Sequence, residues 1–195
     1  MNGKRWIAGM GIIIFIFFST RVHSINQMAS MERQADMLIK ILGYDRTLLQ
    51  NSFEVVRVGI IYEESNAASI SEFQGISDNL FDLMSAGRTV GGKKVTFSGV
   101  AFKNSDYFLD TVHNLNVNVL YITSGNDANL AYILRTAQNE GILTFSCVPY
   151  YLDRGVASGV EEIDGGLKVV IHLTAAKAQG ADFKAELLKI SRVIQ

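Results

Sequence analysis

An α/β domain, with a mostly parallel open sheet flanked by helices and an antiparallel hairpin near the C-terminus, is the fold this sequence predicts. Two patterns carry that expectation. Four short apolar, β-branched runs alternate with segments of helical period: Val55–Tyr62, Val95–Phe102, Val117–Thr123 and Ile142–Val148. Strands too apolar for a surface belong in a parallel sheet covered on both faces. After Pro149, the only proline, the pattern changes. Val156–Ile163 and Leu167–His172 flank Asp164-Gly165, a dipeptide suited to a tight hairpin turn.

Residues 1–24 precede that domain and read as a secretory signal. Lys4 and Arg5 stand ahead of an apolar run from Trp6 to Phe18, and Val22 and Ser24 are small enough for the −3 and −1 positions of a cleavage site. The run is short for a membrane span, which needs about 20 residues; an uncleaved N-terminal anchor is the alternative. Either way the folded part is expected outside the cytoplasm, in the periplasm, away from ATP, NAD and nucleic acid. Residues 25–195 then form a single domain, without a repeat or a Pro/Gly/Ser linker. Eighteen basic against nineteen acidic residues argue against a polyanion-binding surface. The one cysteine, Cys147, has no intrachain partner, so stability must come from packing. It lies in an apolar run and is expected as a small buried hydrophobe, with an intermolecular disulfide as the alternative.

The helices follow from spacing. Met28, Met31, Ala35, Leu38 and Leu42 predict a helix over 27–42, stopped by Gly43, with the next residues ambiguous. Ser69 with Glu72 has the spacing of a capping box and opens a helix that buries Phe73, Ile76, Leu80 and Leu83 and stops near Gly87. Ser105 is expected to cap a helix carrying Phe108, Val112 and Leu115. Asp127 begins another, whose inner face is Leu130, Ile133, Leu134 and Ala137 and which closes at Gly141. A last helix is expected over 182–193, burying Phe183, Leu187 and Ile190.

No chemistry of a known catalytic kind stands out. The chain has no Gly-rich phosphate loop, no Cys/His metal spacing and no Gly-x-Ser-x-Gly elbow. Gly9 and Gly11 fall within the signal, as does His23. His113 is expected to be solvated or capping near a helix end, and His172 closes a strand; neither has a neighbouring pattern of ligands. Glu161 and Glu162 alternate to opposite faces of a strand and cannot converge as an acid–base pair; with Asp164 they read as a solvated acidic loop able to touch a partner. No catalytic residue, metal or cofactor is therefore expected.

Topology points instead to the carboxyl ends of the parallel strands, where open sheets bind ligands. That rim holds Glu63–Ser65, Lys103–Ser105, Ser124–Asn126 and Tyr150 with Tyr151. Ser124, Gly125 and Asn126 lead into a helix, where their backbone N–H groups could hold a carboxylate or phosphate oxygen or simply cap the helix. Tyr150 and Tyr151 offer aromatic surface to a partner, with at least one expected to pack on the sheet.

Several segments, in order, resemble the YfiR/HmsC-like family, a domain of exported bacterial proteins. They are the small-residue turn 86–95 leading to a strand, Val117–Thr123, Gly141–Phe145, the glycine-marked hairpin over 155–171, and the ending 173–180 followed by 183–194. The last two stretches look like the family's closing pair of helices. The similarity runs from about Met28 to Ile194 and is clearer in the second half. The aromatic-rich first helix of many relatives is missing; 36–46 looks like a variant of it. The resemblance implies a non-catalytic periplasmic regulator of a membrane-bound diguanylate cyclase, acting on that enzyme's periplasmic sensor region and so on cyclic-di-GMP, exopolysaccharide and biofilm. The cysteine pairs of the named regulators are absent, so redox control through internal disulfides is not implied. The other expectation is a small-molecule binding protein resembling one lobe of a periplasmic solute receptor. A lone lobe binds weakly or needs dimerisation, which puts a homodimer among the expected partners.

Overall fold

The structure, a computed structural model, describes residues 30–163 and 165–195. The signal sequence at 1–24, the first residues of the expected 27–42 helix and Asp164 of the hairpin turn lie outside the described residues.

Among the described residues seven strands form one sheet. In chain order the elements are α1 (30–42), α2 (Arg46–Gln50), β1 (Val55–Tyr62), α3 (Ala67–Ser85), β2 (Lys94–Ala101), α4 (Ser105–Asn114), β3 (Val119–Ile122) and α5 (Leu130–Glu140). There follow β4 (Leu143–Ser146), α6 (Pro149–Leu152), β5 (Ser158–Ile163), β6 (Gly166–His172), α7 (Leu173–Ala178), α8 (Ala185–Ile190) and β7 (Arg192–Ile194). The strand order is β2-β1-β3-β4-β5-β6-β7. Neighbours from β2 to β5 are parallel, β5 and β6 are antiparallel, and β7 runs parallel to β6. The mostly parallel sheet and its antiparallel hairpin agree with the sequence.

Alternation along the strands feeds two cores. Val58, Ile60, Val119 and Tyr121 point to the face covered by α1 and α3, where Leu38, Leu42, Ile76 and Leu80 are buried. Ile61, Leu120 and Ile122 point to the other, against Phe108 and Val112 of α4 and Ile133 and Ala137 of α5. Central strands buried on both sides explain why β3 and β4 contain no exposed residue.

The helix boundaries depart from the sequence reading, and for α3 and α4 the reason is that an asparagine, not the expected serine, does the capping. Asn66 Oδ1 accepts from the N–H groups of Ala68 and Ser69, so α3 begins a turn earlier than Ser69. Asn104, one residue before Ser105, caps α4 by accepting from Tyr107 N–H. α5 starts at Leu130 after Asn129, because the Asp127 carboxylate is engaged elsewhere. The ambiguous stretch after Gly43 becomes α2, capped by Asp45, which also accepts from Asp182 N–H and ties the C-terminal segment to the N-terminal helix.

The expected 182–193 helix is also corrected. It shortens to α8, the chain turns extended at Ser191, and β7 adds to the sheet. Ile190, expected in the core, is 68% exposed. Arg192 explains the change: its guanidinium pairs with Glu161 of β5 and lies 3.5 Å from Asp153, pinning the strand in place. Glu161 is therefore a paired residue and not part of a solvated loop.

Candidate functional site

The sheet order places the switch point between β1 and β3. The crossover from β1 runs to β2 on one side, while the connection from β3 runs to β4 on the other, leaving a crevice at the carboxyl ends of the two strands. Glu63, at the end of β1, and Ser124–Asn126, at the end of β3, line that rim as the topology requires.

The protein's own polar groups fill the crevice. Ser69 Oγ and Thr123 Oγ1 lie 2.7 Å apart, and the Ser69 hydroxyl accepts from Glu63 N–H at 2.9 Å. Thr123 Oγ1 also reaches the Ile61 carbonyl at 2.8 Å. Ser69 thus joins α3 to both strands, a role unlike the capping one its spacing with Glu72 suggested. Asn129 Nδ2 donates to Glu63 across the rim at 3.3 Å.

Ser124 N–H, a backbone group the sequence singled out for an acidic ligand, already holds a carboxylate: Glu72 Oε2 of α3, at 2.8 Å. The other oxygen of Glu72 lies 3.1 Å from the Tyr121 hydroxyl, which also reaches Gln34 Oε1 of α1 at 3.3 Å. Burial raises the Glu72 carboxyl above its ordinary value, opposed by the hydrogen bonds from Ser124 and Tyr121. Gly125 takes a left-handed φ of +82° beside the Asn66 side chain, a close approach that leaves no room for a Cβ. Asn126 is fully buried; its Nδ2 donates to the Thr123 carbonyl at 3.0 Å, and its Oδ1 has no partner among the described residues.

Tyr150 and Tyr151 meet the same loop from the opposite side. Both hydroxyls donate to Asp127, Tyr150 to Oδ1 at 2.6 Å and Tyr151 to Oδ2 at 3.1 Å. Their rings meet edge to face, with centroids 4.7 Å apart. Tyr151 is fully buried, whereas Tyr150 is 47% exposed. The hydrogen bond from Tyr150 holds the Asp127 carboxyl below its ordinary value. The β3–α5 loop is thus tied to α3 through Glu72 and to α6 through Asp127. Replacing Asp127 with asparagine removes the charge-assisted bonds and is expected to lower the melting temperature by about 3 °C, measured by thermal denaturation at neutral pH. An unchanged midpoint would show that the loop does not depend on this clamp.

The remaining polar candidates have local roles. His172 accepts from Ala175 N–H through Nδ1 at 3.4 Å and caps α7. His113 has a carboxylate partner that sequence reasoning missed, Glu140 at 2.9 Å. Cys147 packs against the core beside Tyr121, and burial pushes its thiol well above the usual value, which suppresses the reactive thiolate. Tyr121 is shifted the same way by burial. Among the described residues no three His, Cys, Asp or Glu side chains are grouped so as to hold a metal. No helix among them is long and apolar enough to cross a membrane.

Solved structures share this architecture. A Streptococcus pneumoniae ABC domain in complex with L-Trp aligns with a TM-score of 0.61 at 11% identity, covering 85% of this chain and 60% of that one. A conserved domain protein from Vibrio cholerae aligns at 0.58 with 14% identity and the same coverage of 85% and 60%. The ligand-free, open form of CD0873, a Clostridium difficile substrate binding protein with adhesive properties, aligns at 0.51 with 14% identity, covering 72% of this chain and 54% of that one. At such identities the likeness is one of fold, that of periplasmic binding proteins, and the chain spans little more than half the length of each. No curated protein matches the sequence. The YfiR/HmsC-like family model matches residues 32–192, nearly the whole of the described chain, and the protein belongs to that family.

Proposed function

We propose that this protein is a non-catalytic periplasmic regulator that restrains a membrane-bound signalling protein, such as a diguanylate cyclase, by contacting its periplasmic sensor region. The observation that carries this reading is the family match over residues 32–192, since regulation and not catalysis is what the family does. The site supports it. Glu72, Tyr121, Ser69 and Thr123 spend their hydrogen bonds on one another, on Gln34 and on the backbone, and burial disfavours the thiolate of Cys147. Tyr150, half exposed on α6 and bonded to Asp127 of the clamped β3–α5 loop, is a ready contact for a partner. The apolar stretch at the N-terminus supports export.

Deleting the gene is expected to raise cyclic-di-GMP, and exopolysaccharide with it, and restoring the gene should reverse both. The same cyclase activity in cells with and without the protein would overturn the reading.

The likeness to binding-protein folds favours a second reading, a small-molecule receptor built as one lobe. Because a ligand of the native state raises its melting temperature, a thermal-shift panel of amino acids, nucleotides and sugars separates the two. A shift with one compound supports the receptor; no response, together with the cyclase effect, supports the regulator.

A further inference from the structure

We propose that the groove between α5 and α7 is a binding site for a small organic dianion, gripped by Arg135 and Arg154. The groove adjoins the rim described above through Arg154, on which Asp127 acts, and stands apart from the choice of regulated partner.

Its shape suits a small molecule. The groove is open to solvent and offers about 460 Å³, within the range of roughly 300–1,000 Å³ usual for ligand pockets. Arg135 and Gln138 of α5 form one wall, Thr174 of α7 stands opposite, and Arg154 and His172 complete the lining. Among the described residues no aspartate or glutamate lines it. In a chain with 18 basic and 19 acidic residues, a cleft with two arginines and no acid is a marked local excess of positive charge.

Neither guanidinium is engaged by an ion pair among the described residues, and Arg135 is held by a ring. Arg135 lies over the Tyr132 ring, 5.3 Å from its centroid, and that ring is anchored by its hydroxyl donating to the Ser105 carbonyl at 3.1 Å. Stacking of this kind steadies a guanidinium while leaving its N–H edge available for a bidentate acceptor. Arg154 forms no ion pair among the described residues. The acid that acts on it is Asp127, whose two oxygens each accept a tyrosine hydroxyl. His172 also lines the groove, its Nδ1 accepting from Ala175 N–H.

Two planar forks select for paired anionic oxygens. Phosphate monoesters and dicarboxylates share that chemistry, and two simple probes tell them apart. Isothermal titration calorimetry of the purified protein in a chloride buffer, with inorganic phosphate and with succinate, is expected to show saturable binding of at least one, with a dissociation constant below about 1 mM. Phosphate alone assigns the phosphoryl class, and succinate alone the dicarboxylate class. Arg135→Gln and Arg154→Gln should each weaken binding by about tenfold or more. Arg154→Lys, which keeps the charge but loses the fork, should fall between, and serves if the glutamine variant fails to fold. Lys94→Gln, at the far edge of the sheet, should bind like the parent protein. Saturation by neither probe, or arginine variants that bind as tightly as the parent, would overturn the proposal.

Discussion

Gly159→Ala is expected to destabilise the protein by about 3 kcal/mol, lowering its melting temperature by about 10 °C. β4 and β5 are joined at only two register positions, Phe145 with Ser158 and Ser146 with Gly159. A Cβ at Gly159 would fall on the Ser146 carbonyl oxygen and come within 2.7 Å of Leu152 Cδ2. The leucine methyl can swing aside. The carbonyl belongs to a strand that is buried along its whole length, so relief must come from separating the strands. That junction also sets α6 against the sheet, so the strain passes to Tyr151 and its bond to Asp127. Gly166→Ala is the control, because its added methyl finds only the Ile163 carbonyl, at an ordinary 3.6 Å. Urea denaturation of both variants checks the claim. Equal midpoints for Gly159→Ala and the parent would mean that the β4–β5 contact is looser than it stands here.

How much of this was legible in the sequence depended on whether the cause was local. The strands β1 to β4 were readable because burial on both faces leaves an unbroken apolar run, and the hairpin because Gly165 has the positive φ that its turn requires. The three shifted helix starts were not, since asparagine, serine and aspartate are near-equal caps and only the tertiary partners decide among them. β7 was hidden by its length of three residues and by Leu187 and Ile190, whose spacing continues a helical period through it. The site shows the same divide. Topology alone placed Ser124–Asn126 at the rim. It could not show that Asp127 serves two tyrosines 23 and 24 residues away, or that Glu72 reaches Ser124 across 52 residues. Glu72 was visible only as a helix-capping residue, a local role that its long-range one displaces.

The carboxylate at the switch point leads to the second large effect. Glu72→Ala should cost about 2 kcal/mol, because Ser124 N–H loses its acceptor and the buried Tyr121 hydroxyl loses the nearer of its two partners. Glu72→Gln should cost far less, and its pH dependence is the sharper test. Burial raises the Glu72 carboxyl above its ordinary value of 4.5, and no basic side chain offsets it. The native state therefore holds this proton more tightly than the unfolded chain. The stabilisation is fully present below about pH 4.5 and is lost as pH rises through the native value. Asp45, raised by burial from 3.8, slopes the same way, while Asp127, lowered but exposed, adds a shallow slope of opposite sign. Glutamine keeps the shape and the acceptor for Ser124 but cannot ionise. The stability difference between parent and Glu72→Gln should therefore shift in favour of the variant as pH climbs from about 4.5 towards neutrality, read from denaturant midpoints at each pH. Parallel curves would show that Glu72 does not ionise in isolation from water, and the filled crevice would then be wetter than its hydrogen bonds imply.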